Sequence, residues 1–93
     1  MKELYYIETN AYDMVVVVAE DKSCKYLTAT EDFPIFGDYT LEEKYAAAKE
    51  FLESICDTTS GWEDDCDYYQ LIEEFADCNK IIAHIETDKY IYY

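Results

Sequence analysis

The sequence predicts an α+β domain: an antiparallel sheet in the order β-β-β-α-α-β, with two amphipathic helices packed on one face. Three observations predict it. The first thirty residues hold three aromatic and β-branched runs separated by polar turns. A capping box at 40–43 opens a stretch with helical apolar spacing. A second helical pattern, with acids crowding its start, precedes a final apolar run at 80–86. With 93 residues the chain is one domain, and 51% apolar residues exclude a disordered acidic tail.

Residues 4–9 read as the first strand, through Leu4, Tyr5, Tyr6 and Ile7. Asn10-Ala11-Tyr12-Asp13 has turn residues at both ends. Met14-Val15-Val16-Val17-Val18-Ala19 is apolar at both parities, so the reading is a central strand buried on both faces. Glu20-Asp21-Lys22-Ser23 is a second turn, and residues 24–30 complete a meander. Residues 31–39 form a loop with the only proline, Pro34. Phe33, Ile35 and Phe36 should pin it to the core, because so much apolar surface is costly in water.

In the capping box, the Thr40 hydroxyl accepts from the Glu43 amide and the Glu43 carboxylate accepts from the Thr40 amide. Leu41, Tyr45, Ala48, Leu52 and Ile55 then recur at spacings of four, three, four and three, and are expected to face the core. Glu42, Glu43, Lys49, Glu50, Glu53 and Asp57 fall mostly on the other side. Thr58-Thr59-Ser60-Gly61 breaks the helix. Ser60 and Glu63 offer another capping box, and Glu63, Asp64, Asp65 and Asp67 suit the positive end of a second helix dipole. Tyr68, Tyr69, Ile72, Phe75 and Ala76 supply its apolar side, and Asn79 is a stop residue. Residues 80–86 read as a strand, and after a turn at Thr87-Asp88 the tyrosines at 90–93 offer a further one.

Twenty-two Asp and Glu oppose seven Lys and no Arg, for a formal charge of −15. Direct binding to nucleic acid or to an anionic membrane is disfavoured, because both would repel this surface. The start of the chain lacks the apolar core of a signal peptide, and the longest apolar run is too short to span a bilayer, so a cytoplasmic location with reduced thiols is expected. Cys24, Cys56, Cys66 and Cys78 are separated by 31, 9 and 11 residues, which matches neither a zinc nor an iron–sulfur ligand set. They read as small buried residues, with a Cys56–Cys66 disulfide open to the chain only in an oxidising environment. The acid run at 57–67 lacks the order of ligands of a calcium-binding EF-hand loop. His84, the only histidine, reads as a structural or surface strand residue. No cofactor, metal site or catalytic centre is expected.

The charge is concentrated. Residues 31–77 carry fifteen acids against Lys44 and Lys49, a net −13, which leaves −2 for the rest. A solvated, solubilising face is the plain explanation. The alternative is that helix carboxylates repeat at distances comparable to phosphates along a duplex and so occupy a basic groove. The acid clusters Glu42-Glu43 and Glu63-Asp64-Asp65, with the pairs Tyr5-Tyr6, Tyr68-Tyr69 and Tyr92-Tyr93, resemble the small acidic inhibitors of phages and mobile elements: DNA-mimic antirestriction proteins and anti-CRISPR proteins. The likeness is one of size and composition over the whole chain. It implies a non-enzymatic inhibitor of a nuclease or other basic nucleic-acid-binding complex. The expected contacts are Glu42, Glu43, Glu50, Glu53, Glu63, Asp64, Asp65 and Asp67, with Trp62 and Tyr69 as aromatic anchors. Two other classes stand beside it: a small regulatory or immunity-type domain that binds a protein through a tyrosine-rich sheet, and a small enzyme using His84 with a cysteine.

Overall fold

In the computed structural model, residues 1–9, 12–28, 33–55, 63–64 and 80–88 are described. They form β1 (Lys2–Glu8), β2 (Asp13–Val18), β3 (Cys24–Thr28), α1 (Leu41–Ile55), β4 (Glu63–Asp64) and β5 (Ile81–Thr87). The five strands make one sheet in the order β4-β3-β2-β1-β5, and every neighbouring pair is antiparallel.

The predicted two-helix arrangement is corrected here. Among the described residues there is one helix, α1. Glu63 and Asp64, expected in the first turn of a second helix, are instead extended and pair with Lys25 and Tyr26 of β3. A capping-box pattern is a local preference, and it yields when the same backbone groups can complete the ladder of an open strand edge. The rest of the predicted second helix, the Cys56–Cys66 pairing and the tyrosines at 90–93 lie outside the described residues.

The meander follows the expected pattern. Asp13, read as a turn residue, is instead the first residue of β2 and pairs with Glu8. The turn closes one residue earlier: the Thr9 amide donates to the Tyr12 carbonyl at 2.9 Å, and the Tyr12 amide donates to the Thr9 hydroxyl at 3.0 Å. Between β2 and β3, the Lys22 amide donates to the Ala19 carbonyl at 3.0 Å, with Lys22 itself in the left-handed region at φ 72. That is the pattern of a tight turn closed by a left-handed residue. The Asp21 carboxylate accepts from the Ser23 amide at 3.0 Å and from its hydroxyl at 2.6 Å. These bonds favour the charged form and hold the Asp21 carboxyl below its ordinary range.

β2 is the middle strand, and Met14, Val15, Val16, Val17 and Val18 are all buried. On the first face Leu4, Tyr6, Val15 and Val17 meet Phe33, Phe36, Ala48, Leu52 and Ile55. Tyr6 is the aromatic hub: its ring lies 5.8 Å from Phe36 and 6.0 Å from Phe51, both edge-on. On the second face Ile7, Met14, Val16, Val18 and Cys24 form another buried cluster.

The capping box of α1 is present, with the Glu43 amide 3.2 Å from the Thr40 hydroxyl and the Thr40 amide 3.4 Å from the Glu43 carboxylate. The buried stripe differs from the predicted one. Ala48, Leu52 and Ile55 are buried, but Leu41 is 60% and Tyr45 43% exposed. The loop explains the difference. Phe33 and Phe36 are buried beside Tyr6, and Lys44 lies over the Phe36 ring at 5.5 Å while its ammonium donates to Glu8 at 2.9 Å. The loop aromatics and this half-buried ion pair cover the core beside Tyr6 near the start of α1, where Leu41 and Tyr45 stay exposed. Ile35, expected in the core, is 86% exposed, because its two aromatic neighbours take the inward positions.

Candidate functional site

The described acids of the expected interface are on α1. Glu42, Glu43, Glu50 and Glu53 are all exposed, and their spacing places them on one side of the helix, with Lys49 among them. Glu43 is partly committed to the cap. Beside them Tyr39, Leu41 and Tyr45 expose large apolar groups at the N-terminal end of α1. These three were not among the expected contacts. Helical spacing puts Leu41 on the same side as Ala48 and Leu52, so no local signal marked it as exposed; the one hint was Phe51, half-buried at the margin of that side and absent from the predicted stripe.

Glu63 and Asp64 do not join this surface as neighbours on a helix. Their backbone forms β4 at the edge of the sheet next to β3, whereas α1 packs on β5 and β1. Four strand spacings, about 19 Å in all, separate β4 from β5. Trp62, Asp65, Asp67 and Tyr69 lie outside the described residues.

A second constellation stands on the other face of the sheet. In the β1–β5 register Glu3 is directly opposite Glu86, and Tyr5 is opposite His84. The His84 imidazole stacks on the Tyr5 ring with centroids 4.4 Å apart and planes 9° apart. Its Nε2 lies 3.4 Å from the Glu3 carboxylate. One donor atom from each of Glu3, His84 and Glu86 falls within 4.8 Å of the others. The strand reading of His84 holds. Its carboxylate partners were not legible, because they depend on which strand pairs with β5 and in what register.

Cys24 is buried at the start of β3, as a small apolar residue would be. It lies three strand spacings from β5, about 14 Å, so its thiol is not a partner for His84. No described helix is long and apolar enough to cross a membrane. Comparison with known protein families, with curated proteins and with solved structures finds no match to this chain.

Proposed function

We propose that this chain is a non-enzymatic interaction module that inhibits a basic, nucleic-acid-binding protein, such as a nuclease complex, by presenting carboxylates where that protein expects phosphates. The observation that carries the reading is the exposed acidic side of α1, in a chain of net charge −15. Glu50 and Glu53 are about 4.5 Å apart along the helix axis, on the scale of the 3.4 Å charge spacing of one nucleic-acid strand. On a preformed helix the backbone that carries these charges needs no ordering on binding, and only the side chains lose freedom. The charges steer a basic partner from a distance and pair with its Arg and Lys. Tyr39 and Tyr45 flank the acids and supply amphipathic area of the kind enriched at protein interfaces. The reading places the domain in the cytoplasm with its target.

The second reading is a regulatory or immunity-type domain that binds through tyrosines. It is narrowed by burial: Tyr6 is buried and Tyr5 and Tyr26 are half-buried in the sheet, so Tyr12, Tyr39 and Tyr45 are the exposed tyrosines among the described residues. Capture from lysate of the native host, with washes of rising salt, separates the two. Mimicry expects a nucleic-acid-binding protein that is released by salt or by competing duplex DNA and is captured less by the variant E50Q/E53Q. A partner that resists salt, ignores DNA and is lost with Tyr45→Ala overturns mimicry and favours the tyrosine contact.

A further inference from the structure

We propose that Glu3, His84 and Glu86 form a binding site for a divalent transition-metal ion of the zinc type. The proposal is independent of the α1 surface, since it concerns the opposite face of the sheet.

Donor chemistry is the first argument. One imidazole nitrogen and two carboxylates are a mixed nitrogen and oxygen set, which suits zinc and its neighbours better than calcium or magnesium. Geometry is the second. Around a tetrahedral zinc, ligands at about 2.0–2.1 Å stand roughly 3.4 Å from one another. The His84 Nε2 to Glu3 Oε1 distance is already 3.4 Å. All three donors lie within 4.8 Å of one another, so closing the set asks for side-chain shifts of about an ångström, and Glu86, being exposed, has room to move.

Placement supplies the third and fourth arguments. Two glutamates directly opposite in an antiparallel pair repel each other. A cation between them converts that repulsion into a link between β1 and the edge strand β5. The ring of His84 is also held in plane by its stack on Tyr5, which turns Nε2 toward the Glu3 carboxylate and lowers the ordering needed to bind an ion. Three protein donors leave the fourth position to water or to a group from outside the chain.

The experiment is a titration of zinc chloride into the full, reduced chain, followed on the imidazole nitrogen resonances of its only histidine. The expected result is a saturable shift of the His84 resonances at one zinc per chain. Glu3→Gln and Glu86→Gln should each weaken it by roughly tenfold or more, and His84→Gln should abolish the stoichiometric binding. His84 and Glu86 are exposed, so their variants keep the fold, and a backbone amide spectrum verifies this. Stoichiometric zinc binding that persists in His84→Gln would place the ion on the cysteines and overturn the proposal. So would weak, non-saturating shifts shared among the carboxylates, which is how diffuse association with a chain of this charge would read.

Discussion

The Tyr6 phenol donates a 2.7 Å hydrogen bond to the Asp13 carboxylate, linking the buried centre of β1 to the first residue of β2. Both residues point to the face covered by α1. The aromatic ring anchors the core and its hydroxyl satisfies a carboxylate at the core's margin. Burial and this bond to Asp13 both favour the neutral phenol, and they push the Tyr6 hydroxyl well above its ordinary range.

Tyr6→Phe keeps the ring and removes the donor. A hydrogen bond to a charged acceptor is worth about 1.5–3 kcal/mol, so urea unfolding at neutral pH should show a loss of that order. The sign of the pH dependence follows from the raised folded value. The stabilisation is complete below the ordinary phenol value of 10.0, and it is lost as pH climbs from there toward the folded value, because the unfolded chain ionises first. Wild-type stability should therefore fall with rising alkalinity more steeply than that of Tyr6→Phe. Parallel slopes for the two proteins would show that the phenol ionises equally in both states.

The observed stripe of α1 makes a contrast that the predicted one does not. Leu52 is fully buried, so Leu52→Ala should cost about 2–5 kcal/mol in urea unfolding. Leu41→Ala occupies the same apolar side by sequence spacing, yet it should change stability by no more than about 0.5 kcal/mol, because Leu41 already faces water. A large loss at both positions would restore the longer stripe and remove Leu41 from the exposed surface.

Lys22 carries a left-handed backbone at φ 72 without the freedom of glycine. For an ordinary L-residue that conformation costs about 1–2 kcal/mol, and glycine avoids it while giving back part of the gain through its more flexible unfolded state. Lys22→Gly should raise the thermal midpoint, with a net gain of up to about 1 kcal/mol, whereas Lys22→Val should lower it. A gain from valine would mean that the turn adopts another conformation in solution.

Much of this was legible in short windows of the chain. Runs of valine at both parities identify a strand buried on two faces wherever it sits, and β2 occupies the centre of the sheet. The pairing of Thr40 with Glu43 is written within four residues, and the cap forms as read. Helical spacing was less decisive, because it fixes a side of the helix but not how much of its length the sheet reaches. The loop aromatics Phe33 and Phe36 and the Lys44–Glu8 pair decide that, and they come from three separate parts of the chain.

The sequence by itself determined the meander, the helix cap, the buried middle strand and the charge, since each depends on neighbours within a few residues or on composition alone. Tertiary structure decided the rest. β5 crosses back to pair with β1, and only then does His84 stand beside Glu3 and Glu86. The edge of β3 recruits Glu63 and Asp64 as a strand against their own helix-start signals. Both outcomes turn on backbone pairing between distant segments. A hydrogen-bond ladder places few demands on side-chain identity, so nothing local in the sequence names the partner or the register.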